Sequence, residues 1–577
     1  MTLNPRSVPA ASRRFFVLAF ALLLACTSAL RAAAQTVVYI NANVYTAADG
    51  APRAEAFATK DDVFLAVGSE ASVRKLTGRV DRVVDLRGRT VLPGFIDAHG
   101  HLEGLGALTT GSIDLADTRS YDEVVARVRR RASEVPDGTW IVGRGWDHEF
   151  WRSKELPNHT KLSEAVPNHP VWLGRVDGHA ALGNMAAMRI AGVRRGTVSP
   201  PGGEVLLDAT GEPTGVFVDN AESLVARHVP PSAYGESEAK ILGAQEQLLS
   251  LGITGMHDMG TPVTSIPLLR RLEAEGRLKL RVQGVVPASE ALAYFSQNEP
   301  FTGDRFGVRA TKLYMDGAMG SRGAWLLEPY EDRRATQDGN PYTGLALMAT
   351  EDVERIATRA LERGFQVCTH AIGDRANREV LDAYERAAAA AGVSLDGARF
   401  RVEHVQMLHP ADIPRFADLG VIPSMQAKHC TSDLRWVEAR IGTERAAGTY
   451  AWASLLRTGA RLANGSDFPV EPANPFLGFY ATVTRQDDSG YPADGWFPAE
   501  RLTRAEALKS FTVWAAAASF DEERLGSIET GKQADFIVVD RDIMTVDPQA
   551  ILGTSVHLTV IAGEAVYEVL ATSESNR

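Results

Sequence analysis

The sequence predicts an α/β fold: a TIM-like (β/α)8 barrel carrying a small composite β-sandwich built from both ends of the chain. Three observations predict it. Eight short apolar runs, at residues 91–101, 252–257, 280–286, 309–315, 366–370, 400–404, 421–425 and 461–467, alternate with stretches of helical periodicity. Strand-and-turn segments lie at both termini, and two half-modules can share one assembly only if everything between them folds as an inserted unit with its ends close together. Side chains of metal-ligating type close several of the runs, as they do at the C-terminal mouth of a parallel barrel.

The bounds come first. A chain of 577 residues, 45% hydrophobic, is long enough for about two to four domains. Its net charge of -11 is spread without a basic stripe, which argues against nucleic acid as a partner. Residues 1–34 read as an export signal: Ser12-Arg13-Arg14 precedes an apolar run at 15–30, and Ala32-Ala33-Ala34 precedes Gln35. The Ser-Arg-Arg order resembles a twin-arginine signal and places the mature protein in the periplasm or cell envelope. An ordinary secretory signal is the alternative, and Leu23-Leu24-Ala25-Cys26 offers a minority reading with Cys26 as a lipid anchor. No later apolar stretch approaches the roughly 20 residues of a membrane span. Cys368 and Cys430 alone remain, too few for a disulfide framework.

The elements follow in order. Residues 35–90 and 520–570 form the sandwich, and 91–519 the barrel, with helices expected at 239–251, 266–275, 350–364, 376–391 and 410–419. A long insertion at 103–238, helical over 121–135 and otherwise rich in Trp, Pro and Gly, interrupts the alternation after the first strand. At that end of a barrel it is a candidate lid or substrate wall, with a structural satellite domain as the alternative.

The chemistry centres on Val91-Leu92-Pro93-Gly94-Phe95-Ile96-Asp97-Ala98-His99-Gly100-His101. In a strand, period-2 alternation sends His99 and His101 to one face, where they can grip a metal. Lys312, His370, His404 and Asp467 lie on or end later runs. Imidazoles with a carboxylate suit zinc first, and also manganese, iron, cobalt or nickel. Lys312 as an ammonium has no lone pair to give. Carbamylated by CO2 it becomes an anion that can bridge two metals; unmodified, it would balance Asp316 or a substrate carboxylate beside a single ion. Metal activation of water, with Asp467 as ligand and proton acceptor, gives hydrolysis of an amide-like bond. No Gly-x-Ser-x-Gly nucleophile elbow occurs in the required context.

These residues carry a resemblance. The marks are Pro-Gly-Phe-Ile-Asp-Ala-His-Gly-His ending at His101, Asp177-Gly178-His179-Ala180, Gly252-Ile253-Thr254 with His257-Asp258, the segment from Lys312 through Gly317-Ala318-Met319-Gly320-Ser321, His370-Ala371-Ile372-Gly373-Asp374, Glu403-His404, and Gly465-Ser466-Asp467-Phe468-Pro469. The chain resembles the amidohydrolase superfamily, family 3, in its N-substituted formamide deformylase-like branch. The resemblance implies a composite β-sandwich with a metal barrel, hydrolysis of C–N bonds other than peptide bonds, and metal binding at His99, His101, Lys312, His370, His404 and Asp467. One or two ions are compatible with it.

Trp146, Asp177, His179, His257 and Arg322 are further candidates for substrate contact. Each has a bland alternative: a turn for Asp177 and His179, the insertion's own core for Trp146, a satisfied structural histidine for His257, and a pair with Glu328 for Arg322. His148, His159, His169, His228, His409, His429 and His557 read as surface or loop groups. The function expected is a metal-dependent amidohydrolase acting on a small amide, formamide, carbamate or cyclic imide. A metal-dependent esterase or lactonase is the alternative in the same chemistry. A non-catalytic exported binding or regulatory protein is the alternative of another class, against which the complete ligand set argues. The partner implied is a small-molecule substrate; an oligomer is compatible with the sequence.

Overall fold

A computed structural model describes residues 35–231, 234–336 and 339–569, without the Tyr234 side chain. The export-signal reading of 1–34, Cys26 included, lies outside the described residues. Eight parallel strands form the centre: β1 Phe95–Gly100, β2 Ile253–Met259, β3 Arg281–Pro287, β4 Phe306–Tyr314, β5 Gln366–Ala371, β6 Arg401–His404, β7 Ile422–Met425 and β8 Ala463–Asn464, hydrogen-bonded in that order. The circle closes where Gly100 bridges Phe468 in parallel, with Asp467 N donating to His99 O at 2.6 Å and His101 N to Phe468 O at 2.8 Å. This is the (β/α)8 barrel that the alternating runs predict.

Strands covered on both sides carry no polar face, and β1, β2, β5 and β6 are buried at every position. The intervening helices bury one stripe each. Thr350–Arg363 packs Val353, Ile356, Ala357 and Ala360 inward, carries Glu351 and Asp352 in its first turn, and ends at Gly364 with φ +71°. Helices Tyr234–Ser250, Ile266–Ala274, Asp374–Ala391 and Ile413–Leu419 fall where the periodicity places them. Ala288–Gln297, after β3, is an additional one.

The run from Val91 to His101 is two strands. Thr90–Pro93 pairs antiparallel with Phe536–Val539 and parallel with Asn43–Tyr45, so it belongs to a six-stranded sheet drawn from both ends of the chain. β1 begins only after Gly94, where any Cβ would stand 2.3 Å from the Thr254 side chain. A four-stranded sheet of Thr36–Ile40, Ala56–Lys60, Val63–Gly68 and Arg82–Asp85 faces it. Tyr39, Phe57, Phe64 and Phe536 lock the two sheets together, with ring centroids 4.7–6.2 Å apart.

The insertion after β1 has a six-stranded sheet of its own, ordered 203–207, 213–219, 180–183, 171–175, 141–146, 113–114. Helix Tyr121–Ala132 covers it, and Leu115, Val124, Trp146, Leu162 and Leu173 form a core separate from the barrel's.

Candidate metal centre

The ends of β1, β4, β5, β6 and the segment after β8 meet around one cavity of about 410 Å³. His99 and His101 arrive from β1, Lys312 from β4, His370 from β5 and His404 from β6, and Asp467 follows β8. The His99 and His404 ring centroids lie 4.8 Å apart, and those of His370 and His404 4.4 Å. Asp467 Oδ1 is 3.1 Å from His101 Nε2 and 3.5 Å from His99 Nε2. The ligand atoms of His99, His101 and Asp467 all lie within 4.8 Å of one another, and so do those of His404, His429 and Asp467.

The backbone is bent to deliver these groups. His404 and Asp467 have φ of +74° and +60°, a region that non-glycine residues seldom enter. Asp97, buried in β1, holds the Asp467 segment by accepting from Ser466 Oγ at 2.6 Å and from Ser466 N at 3.1 Å, while also accepting from His99 N at 3.0 Å. Gly465 must lack a side chain, since a Cβ there would sit 2.4 Å from His99 N.

Charge and tautomer are set from behind. Glu403 Oε2 lies 2.7 Å from His99 Nδ1, a contact that places the proton on Nδ1 and leaves the Nε2 lone pair for the cavity. Arg401 holds Glu403 in turn, with Nε 2.8 Å from Oε1, and also donates to Ala98 O and Ser424 Oγ. Burial, then the Lys312 cation, lowers His99 well below the usual imidazole range, so it is neutral. Burial likewise lowers His370 and His404. For Asp467, burial pulls upward, but its surroundings, the hydrogen bond from His101 among them, outweigh burial and hold the carboxyl below its ordinary value. Lys312 is buried with Nζ 3.2 Å from His99 Nε2, and burial lowers it as well.

The donor set tests well against a divalent cation. It offers neutral imidazoles and an ionised carboxylate, and it leaves acceptors buried without an aligned hydrogen bond: Asp467 Oδ1, His404 Nδ1 and His429 Nε2. Lys312 does not balance Asp316. That carboxylate instead accepts from Ile372 N at 2.9 Å and from Gly373 N and Trp325 N at 2.8 Å, and burial raises its pKa to about 7.

The weaker candidates separate. His179 comes to the mouth, its Nδ1 2.7 Å from Asp219 Oδ1 and its ring 4.8 Å from that of His370; Asp177 lines the same cavity, ion-paired with Arg175. His257 does not face the cavity. It lies beneath the site with Nδ1 2.7 Å from Arg401, and burial lowers it to about 3. Trp146 is no substrate wall: it is fully buried in the insertion's core, donating Nε1–H to Leu173 O at 2.8 Å. Arg322 does not line the cavity of the metal-type histidines; it pairs with Asp332 at 2.8 Å and, among the described residues, forms no pair with Glu328. Cys368 and Cys430 are buried free thiols.

Sequence reasoning missed Glu403 as the partner of His99, and it misplaced His429. That ring stands on helix Ala427–Asp433 after β7, stacked 5.8 Å from His404, with Nε2 3.7 Å from Asp467 Oδ2. Its position just past the seventh strand was the available signal. His148 and His169 are buried rather than exposed, against Arg175 and against Thr139 O.

Comparison with known proteins agrees with this geometry. The amidohydrolase family model matches residues 82–567. Protein LONG AFTER FAR-RED 3 of Arabidopsis thaliana is 34% identical over 91% of each chain. The N-substituted formamide deformylase of Arthrobacter pascens is 29% identical, over 88% of this chain and 93% of its own. The crystal structure of an uncharacterized metal-dependent hydrolase from Pyrococcus horikoshii superposes with a TM-score of 0.71 at 28% identity, covering 89% of this chain and 99% of that one. The chain is a hydrolase of the amidohydrolase family.

Proposed function

We propose that the protein is a metal-dependent amidohydrolase cleaving a non-peptide C–N bond in a small amide, formamide, carbamate or cyclic imide. The observation that carries this reading is the convergence of His99, His101, His370, His404 and Asp467, from four places in the sequence, on one cavity, with His404 Nδ1 and Asp467 Oδ1 left without an aligned hydrogen bond. A relative that carries the name N-substituted formamide deformylase supports the bond class.

His99, His101 and Asp467 would hold one cation, zinc first; His370 and His404 would hold a second. A bound divalent ion supplies Lewis-acid polarisation of a carbonyl and lowers the pKa of water. Lys312 fits such a site as a carbamate, because the ammonium would compete for the space beside His99. Burial favours the neutral amine, the form that adds to CO2 and releases a proton.

The chain's own groups do the rest. Glu403 keeps the His99 lone pair facing the cavity. Asp467, ionised, accepts the proton of the attacking water and returns it to the departing nitrogen. The His179–Asp219 pair stands beside His370 and faces the bound substrate. In this reading the enzyme works in the periplasm or cell envelope after removal of residues 1–34.

The test is a panel of matched amides, formamides, imides and esters offered to zinc-loaded protein. Hydrolysis of an amide with release of amine is the expected result. Turnover confined to esters would overturn the bond class.

A further inference from the structure

Arg144 lines the same cavity as His101 and Asp467, yet it comes from the insertion and not from the barrel. Its placement depends on a bulge. Strand Ile141–Trp146 pairs in regular parallel register with Val171–Arg175 as far as Arg144, then slips between Arg144 and Trp146. Gly145 takes up the slip with φ +101°, and any Cβ there would stand 2.9 Å from Ala116 N. Strict alternation would put Arg144 and Trp146 on one face. The bulge sends Trp146 into the insertion's core and leaves Arg144 at the cavity, the use of bulges that recurs beside active sites. Gly174, in register with Arg144, has no side chain to cover it.

Most charges on this wall are taken up in direct pairs, and Arg144, which is not, is favoured at longer range by Asp467, Asp177 and Asp114. Arg175 is paired with Asp147 and Asp177, and Asp219 with His179. Burial raises Glu222 well above the carboxylate range. Arg144 makes no ion pair among the described residues; its hydrogen bond is from Nη2 to Val176 O at 3.0 Å. A half-buried guanidinium with no carboxylate in direct contact keeps its remaining N–H donors available to a ligand in the cavity. One planar guanidinium offers a two-pronged fork that matches a carboxylate.

We propose that Arg144 anchors a carboxylate of the substrate, so that the enzyme acts on small amides bearing a free acid. This deepens the amidohydrolase reading and rests on it. Neither the family assignment nor the metal-type residues require an arginine on the insertion wall.

The experiment compares N-formylglycine with N-formylglycinamide on the zinc-loaded full chain, by calorimetric titration and by formate release. Wild-type protein should bind the acid at least ~10-fold more tightly than the amide, the free energy of one good charged contact. In Arg144→Gln that ratio should fall to about one, and Arg144→Lys should restore part of it, which separates loss of charge from loss of fold. An undiminished preference in Arg144→Gln, or no binding of N-formylglycine to the wild type, overturns the carboxylate subsite. Hydrolysis that ignores the substitution leaves the amidohydrolase reading intact and removes the subsite; an Arg144-dependent ratio without hydrolysis does the reverse.

Discussion

The barrel mouth and the insertion's sheet both supply side chains to one cavity, by different means. At the mouth, parallel strands that end at the same level fix where each ligand stands. His99, His370 and His404 therefore needed only their positions at the ends of apolar runs to be found. In the insertion, a bulge, turns and local ion pairs decide what faces the cavity. The slip between Arg144 and Trp146 parts two side chains that a simple alternation would put on one face. Strand-end placement is readable from sequence; placement by irregular backbone is not.

The sharpest way to break that comparison is to disable the mouth while leaving its frame intact. Asp467→Asn keeps the shape and removes the proton acceptor, and kcat should fall ~10²–10⁴-fold. Steady-state kinetics check it, and a variant within a few-fold of wild type would show that catalysis does not run through β8. Glu403→Gln acts one step back, on the His99 tautomer, and should weaken metal binding ~10–100-fold by competition with a chelating dye. Unchanged affinity there would mean that His99 is held by packing alone.

Gly465→Ala probes the close approach of the β8 segment to His99. A Cβ 2.4 Å from His99 N should cost about 1–3 kcal/mol, read as a lower thermal midpoint together with lost metal. The smallest effect belongs to Arg322→Ala. Its partly exposed pair with Asp332 is worth about 0–1 kcal/mol, and KM should not move. A large rise in KM would return Arg322 to the substrate and blur the line between the two regions.

The same contrast explains what was legible beforehand. Eight apolar runs gave the barrel, and the two terminal strand clusters pointed to a shared sheet module. The seam between module and barrel was hidden because Val91 to His101 reads as one apolar run despite the Pro93-Gly94 step inside it. Only the approach of Thr254 to Gly94 marks the break. Glu403 was hidden because alternation puts it on the opposite face from His404. The left-handed turn at His404 lets both serve one site. His429 was hidden because a helix start carries no periodic signal for which side chain turns back towards a strand end.

The central claim is that the convergent imidazoles and Asp467 hold the ion on which hydrolysis depends. Measuring metal content and amide turnover in parallel, through exhaustive chelation and then stepwise return of zinc, tests it most directly. Both should fall together and recover together, in wild type but not in a protein carrying His99→Ala and His404→Ala. Full turnover with metal shown to be absent would contradict the account.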